Sequence, residues 1–278
     1  MPEMPEVETI KRMIEPQIKG QTIRSVIVGN PQVIAYPDEI TFVKQLTGQT
    51  VKNMSRRGKF LSIHFESGDC VVIHLRMTGR LLVTPVDYPE EKHTHLILNL
   101  LSGGNQIRYI DVRRFGRFWY LEKGEEDTVT GLDKLGVEPL DDTLTAEYLK
   151  AMLGKRKKTI KAMLHDQSIV AGIGNIYSDE ILSEAEIYPE EKCTDLTDGN
   201  WENLVVKIKE IIAWGINTNE MTPEEYLAGK GKEYSNIQNL RVYGREGQPC
   251  RKCQSTIERI MIGGRSSCYC PLCQVKKS

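Results

Sequence analysis

With 278 residues and a mass of 31.6 kDa, the chain is long enough for two compact domains and a small appended module. A hydrophobic share of 40% and a charged share of 27% describe an ordinary soluble globular protein. No run approaches the roughly 18–20 apolar residues that cross a bilayer, which excludes a membrane-spanning helix and any membrane partner from the expectations.

The first residues, MPEMPEVETIKR, are acidic before they are basic and lack an apolar centre, so they do not read as a signal peptide. A cytoplasmic location is therefore expected. The net charge of −1 argues at first sight against a polyanionic partner, but the charge is segregated. Residues 155–161 hold Lys155, Arg156, Lys157, Lys158 and Lys161 with no acid, and residues 241–278 hold eight Arg or Lys against Glu246 and Glu258. A one-sided phosphate-binding face needs such segregation; a solvated charged face also produces it.

In chain order, Val7, Ile10, Ile14 and Ile18 fall on one face of a helix over 5–18. From about 20 to 120 the pattern turns to short β-rich runs, TIRSVIV, FLSIHF, CVVIHL, HLILNL, QIRYIDV and FGRFWYL, punctuated as in a β-sandwich or barrel. The acidic, Gly- and Pro-bearing stretch 124–142 reads as an interdomain connection. Helical periods follow in TAEYLKAML, KKTIKAML, NIYSDEILSEAEI and WENLVVKIKEIIAWGI. Segment 217–239 is polar and glycine-bearing and reads as a mobile loop. The last 30 residues form a cysteine-built module.

In that module Cys250-x2-Cys253 is followed after sixteen residues by Cys270-x2-Cys273, the two-knuckle spacing of a structural zinc site. So short a piece buries too little core to fold alone, and metal binding would supply about 10–16 kcal/mol. Four thiolates leave no open coordination position, so the expected Zn2+ is single and structural. Cys268 competes with Cys270 for the last place, and the paired CxxC symmetry favours Cys270. Gly263-Gly264 reads as the turn of a hairpin presenting Arg265, either a phosphate probe or an incidental turn arginine. Cys70 and Cys193 read as inert core residues.

Pro2-Glu3 behind the initiator Met has a chemical reading. Loss of Met1 would expose a secondary amine, and an α-amine with a reference pKa of about 7.7–8.0 is substantially neutral and nucleophilic where a lysine is not. The following helix directs its positive end at that amine, and Glu3 and Glu6 add carboxylates for proton transfer. Pro-Glu is also simply a helix-starting device.

The segments MPEMPEVETI, RRGKF, HLRMTGR, DVRRFGR, DQSIVAGIGNIYSDEIL and VYGREGQPCRKC…GGRSSCYCPLCQ stand in that order across residues 1–278. Together they closely resemble the formamidopyrimidine-DNA glycosylase/endonuclease VIII family, nearer to its formamidopyrimidine branch. The resemblance implies an α+β protein with an N-terminal helix and β-sandwich (1–135), a helix–two-turn–helix domain (143–225) and a four-cysteine β-hairpin zinc finger (240–278), with damaged double-stranded DNA bound in the cleft between and the protein monomeric. It implies that Pro2 attacks C1′ of the lesion nucleotide and forms a Schiff base, that Glu3 donates and shuttles protons, that Lys59 assists strand elimination and that Arg265 binds phosphate. By the same likeness His74, His93, Lys157, Lys161 and Asn175 contact DNA phosphates, while Met77, Arg113 and Phe115 fill the gap left by the extruded nucleotide. Flipping costs a few kcal/mol, part of which an inserted apolar wedge offsets.

Three departures stand out. Met4 occupies a usual leucine position, an isosteric swap. Cys268 replaces an aromatic or His. Segment 217–237 lacks the glycine- and threonine-rich sequence that leads into the cap over oxidised purines, which leaves open a preference shifted to oxidised pyrimidines. A zinc-ribbon lesion binder that does not cut is the reading from another class, and retention of Met1 would produce it.

Overall fold

The computed structural model describes residues 2–125, 127–232 and 235–276. It is a mixed α+β protein whose contacts divide into two units. The first comprises residue 2, Glu6–Asp133 and 220–232; the second comprises Glu3–Pro5, Lys134–Asn219 and 235–276.

Helix α1 (Met4–Ile18) follows the 3.6-residue period read from the sequence, with Val7, Ile10, Ile14 and Ile18 all buried. In the first unit two sheets face one another. One has the order β2 (Ile34–Tyr36), β9 (Arg117–Leu121), β5 (Cys70–His74), β4 (Phe60–Phe65), β3 (Val51–Arg57), antiparallel except for the β2–β9 pair. The other runs β1 (Ile23–Val28), β7 (Thr94–Leu100), β8 (Asn105–Asp111), β6 (Gly79–Pro85), antiparallel throughout. Leu61, Ile63, Ile73 and Phe118 from the first meet Leu81, Leu96, Ile107 and Tyr109 from the second in one core. Each such side chain contributes roughly 1.5–3 kcal/mol.

Two features of this unit depart from the sequence expectation. Helix α2 (Glu39–Leu46) interrupts the β-rich region, started by the Asp38 carboxylate accepting from Thr41 N. The expected mobile loop at 217–239 contains helix α7 (Pro223–Ala228), opened by a capping box between Thr222 and Glu225. Its Tyr226 is buried and donates its hydroxyl to Leu81 O at 3.1 Å, while Arg80 donates to Lys230 O at 2.6 Å, so the segment is docked on β6. Residues 233 and 234 of the expected loop lie outside the described residues.

The second unit is built from α3 (Ala146–Leu153), α4 (Ile160–Leu164), α5 (Asn175–Glu184) and α6 (Asp198–Thr218), with threonine caps at 145, 159 and 197. Leu149, Ile160, Tyr177, Ile181, Trp201, Leu204 and Ile208 lie in its core, and Met4 joins them. The hairpin β10 (Glu258–Ile262) and β11 (Arg265–Tyr269) turns through Gly263 and Gly264, both at positive φ (55° and 76°), as the Gly-Gly pair required. Glu180, wholly buried on α5, accepts from the backbone N–H groups of Arg241, Val242 and Tyr243 at 2.8–3.0 Å. This fixes the entry into the cysteine module.

Candidate nucleic-acid interface and metal centre

In the first unit, Pro2 is half-buried and directly precedes Glu3; Met1, whose loss the nucleophile reading needs, lies outside the described residues. Lys59 occupies with Gly58 the two-residue turn between β3 and β4, with Gly58 at φ 54°, and is 7% exposed. The next residue, Phe60, pairs across the ladder with His74, and the rings meet edge to face at 4.5 Å. Burial, then the Arg76 and Lys59 cations, push His74 down to about 3, so its ring is neutral near pH 7. Its Nδ1 accepts from Arg76 N at 3.0 Å, which leaves the proton on Nε2. A phosphate would meet a neutral donor there. His93 is half-buried at φ 72°, and its carbonyl accepts from Asp111 N.

Met77, Arg113 and Phe115 come together. Arg113 Nη1 lies 2.8 Å from Met77 Sδ, and its guanidinium sits 4.6 Å over the Phe115 ring. Met77 and Phe115 are 44% and 46% exposed, an uncovered apolar pair bracketing a cation. Arg76 and Arg114, next to them in sequence, take left-handed φ values of 56° and 57°, a conformation costing about 1 kcal/mol or more for a non-glycine residue.

In the second unit Glu3 is 2% exposed and caps α5: its carboxylate accepts from Gly174 N (2.7 Å), Ile176 N (2.9 Å) and Tyr177 N (3.2 Å). A side chain at position 174 would overlap this carboxylate, so glycine is required for the approach. Asn175 opens the same helix and donates its amide to Ser266 O at 3.0 Å. Arg265 and Lys157 are exposed, Arg265 at the first position of β11 and Lys157 in the basic run 155–158.

Lys161 is buried. Its side chain is 1% exposed, its ammonium is paired with the wholly buried Asp179, and it also donates to Ser266 O at 3.2 Å. The charge is paired inside the protein, and the same ammonium holds the strand that begins with Arg265. Asp179 also accepts from Ser267 Oγ (2.7 Å) and Cys268 N (3.0 Å). Burial disfavours charge on both partners, lowering Lys161 and lifting Asp179 to about 6. Asp179 and Glu180 were invisible as site-supporting residues in the sequence, because an acid within a helical pattern reads as a solvated face.

The sulfurs of Cys250, Cys253, Cys270 and Cys273 all lie within 4.8 Å of one another. Tetrahedral zinc with Zn–S of about 2.3 Å needs sulfurs about 3.8 Å apart, and a set of four thiols closes its shell. The arrangement therefore fits the metal. Cys268 stands outside the cluster, its backbone engaged by Asp179.

A β-sandwich unit bearing an exposed Met–Arg–Phe knob, a helical unit with basic turns and a four-thiol hairpin module define a nucleic-acid-processing protein of the zinc-finger class. Family models match in the same chain order: the formamidopyrimidine-DNA glycosylase N-terminal domain at residues 1–118, the formamidopyrimidine-DNA glycosylase H2TH domain at 135–225 and the zinc finger found in FPG and IleRS at 247–275. The formamidopyrimidine-DNA glycosylase of Desulforamulus reducens is 46% identical over 278 residues, covering 100% of both chains. Lactococcus lactis FPG (MutM), in complex with a FAPY-dG-containing DNA, superposes with a TM-score of 0.89 at 34% identity, covering 99% of this chain and 100% of that one. The same enzyme in complex with an oxidised-pyrimidine-containing DNA gives 0.90 at 34% identity with the same coverage. The chain belongs to the formamidopyrimidine-DNA glycosylase family.

Proposed function

We propose that this protein is a bifunctional DNA glycosylase and AP lyase of base-excision repair, acting on oxidised bases in duplex DNA. The observation that carries the reading is the fixing of Glu3 by three amides of α5, which holds the residue immediately after Pro2 in a defined place. With Met1 removed, the Pro2 nitrogen attacks C1′ of the extruded nucleotide. The base departs with a proton delivered through Glu3; the C1′–O4′ bond then opens, O4′ taking the proton that the Pro2 nitrogen gives up, and the resulting cationic iminium acidifies C2′ for elimination. Lys59 exchanges protons during strand cleavage, and Arg265 binds a phosphate, with Lys157, Asn175, His93 and the neutral His74 as further phosphate contacts. Met77, Arg113 and Phe115 fill the vacated stack.

One structural zinc is held by Cys250, Cys253, Cys270 and Cys273; when bound it supplies folding energy to the hairpin and no chemistry. The functional division is 1–135, 143–225 and 240–278. The protein acts as a monomer on damaged DNA in the cytoplasm, associated with the nucleoid. Among the described residues no helix is long and apolar enough to cross a membrane.

Formamidopyrimidines and 8-oxoguanine are the favoured lesions. A range extended to oxidised pyrimidines has its own support, since the Lactococcus relative is named in complexes with both lesion types. Borohydride reduction in the presence of abasic-site DNA tests the chemistry: wild type forms a covalent adduct mapping to Pro2, and Pro2→Gly does not trap comparably. An adduct on a lysine, or cleavage by a chain that keeps Met1, overturns the mechanism. Excision rates on single-lesion duplexes separate the two lesion ranges.

A further inference from the structure

The exposed knob of Met77, Arg113 and Phe115 stands on two separate turns, one closing at Gly79 N→Leu75 O and one following β8. Between them lies a carboxylate that none of the roles above uses. Asp111 is 0% exposed. Its Oδ1 accepts from the Thr78 hydroxyl and from Arg113 N (3.1 Å), and its Oδ2 from the Tyr109 hydroxyl (2.8 Å) and Gly116 N (2.9 Å). Thr78 Oγ1 in turn accepts from Arg113 N at 3.2 Å. One turn contributes Thr78, beside Met77; the other contributes the backbone on both sides of Phe115. A side chain at Gly116 would overlap the Tyr109 hydroxyl, and one at Gly79 would come within 2.9 Å of it, so the two backbones close tightly on this group.

We propose that Thr78 and Asp111 are positioning residues for nucleotide extrusion, a buried hydroxyl–carboxylate clip that joins the two turns so that Met77, Arg113 and Phe115 enter the base stack as one rigid wedge. The inference rests on the wedge reading above. Two turns with exposed apolar tips, left unlinked, yield when pressed into stacked bases; linked, they hold the displaced stack apart. The clip matters where a stacked base must be forced out and much less where the base is already missing.

The test uses the full-length protein with Thr78→Val, which keeps the shape and removes the hydroxyl, and Thr78→Ser, which keeps the hydroxyl. Loss of one buried hydrogen bond is expected to slow single-turnover excision of a formamidopyrimidine lesion by about tenfold, with Thr78→Ser restoring it. Strand cleavage and borohydride trapping on a preformed abasic site stay at the wild-type level. In parallel, 2-aminopurine beside the lesion reports unstacking on binding without any cleavage, and its fluorescence rise is smaller with Thr78→Val than with wild type or Thr78→Ser. Wild-type excision and fluorescence from Thr78→Val, or equal loss of lesion and abasic-site activity, overturns the proposal. A wild-type protein that neither traps nor excises strikes at the enzymatic reading instead, and the fluorescence comparison still decides the clip.

Discussion

Lys161 and Asp179 form an ion pair in which the lysine side chain is 1% exposed and the aspartate not at all, on neighbouring helices under the strand that starts with Arg265. Breaking a buried pair by removing one partner leaves an uncompensated group in a low dielectric and costs about 3–5 kcal/mol. Lys161→Met and Asp179→Leu should each destabilise the protein by that order in urea unfolding, and the double variant should recover much of the loss. Single variants as stable as wild type would remove the brace.

The burial of Lys161 separates it from the exposed cations in DNA binding. Lys157→Ala and Arg265→Ala should each reduce the slope of log affinity against log salt by about 0.9, the release of one counterion. Lys161→Met should leave the slope unchanged. Titrations of one duplex at several salt concentrations check all three, and a slope change with Lys161→Met alone would show that its ammonium reaches phosphate after all.

His74 gives a pH dependence of definite sign. Its folded-state value is depressed from 6.5 to about 3, so between those limits the unfolded chain binds a proton that the folded chain refuses. Its contribution is present above about pH 6.5 and is lost as pH falls towards 3, amounting to a few kcal/mol at most. Chemical denaturation at pH 7 and at pH 4.5 should give a smaller difference for His74→Gln than for wild type. Equal differences would place the acid sensitivity elsewhere.

Chelation of the metal should open the C-terminal module while the β-sandwich persists. Amide exchange over 258–269 should accelerate in excess chelator or in Cys253→Ser, and lesion cleavage should vanish with it. A protein verified free of zinc that keeps slow exchange in the hairpin would contradict the structural role.

What the sequence made legible followed physical periodicity and spacing. The apolar face of α1, the Gly263-Gly264 turn and the four sulfurs each have a local signature that tertiary context did not override. Helix α7 escaped because its signal is a capping box in a polar stretch of only a few residues, too short for a hydrophobic period. The Lys161–Asp179 pair had no local signature, because the two residues stand 18 positions apart on different helices. The Met77, Arg113 and Phe115 grouping was reached through family likeness. The carboxylate that ties their turns, Asp111, opens the same DVRRFGR segment, but no spacing or charge pattern there announces its bond to Thr78 on the other turn.

The attachment of the cysteine module to Glu180 has a consequence for variation. The three hydrogen-bond donors to that carboxylate are main-chain groups, and the Arg241 guanidinium, 3.7 Å away, adds its charge. Proline at any of these positions, lacking the N–H, takes away one of the three donors outright, whatever its ring packs against.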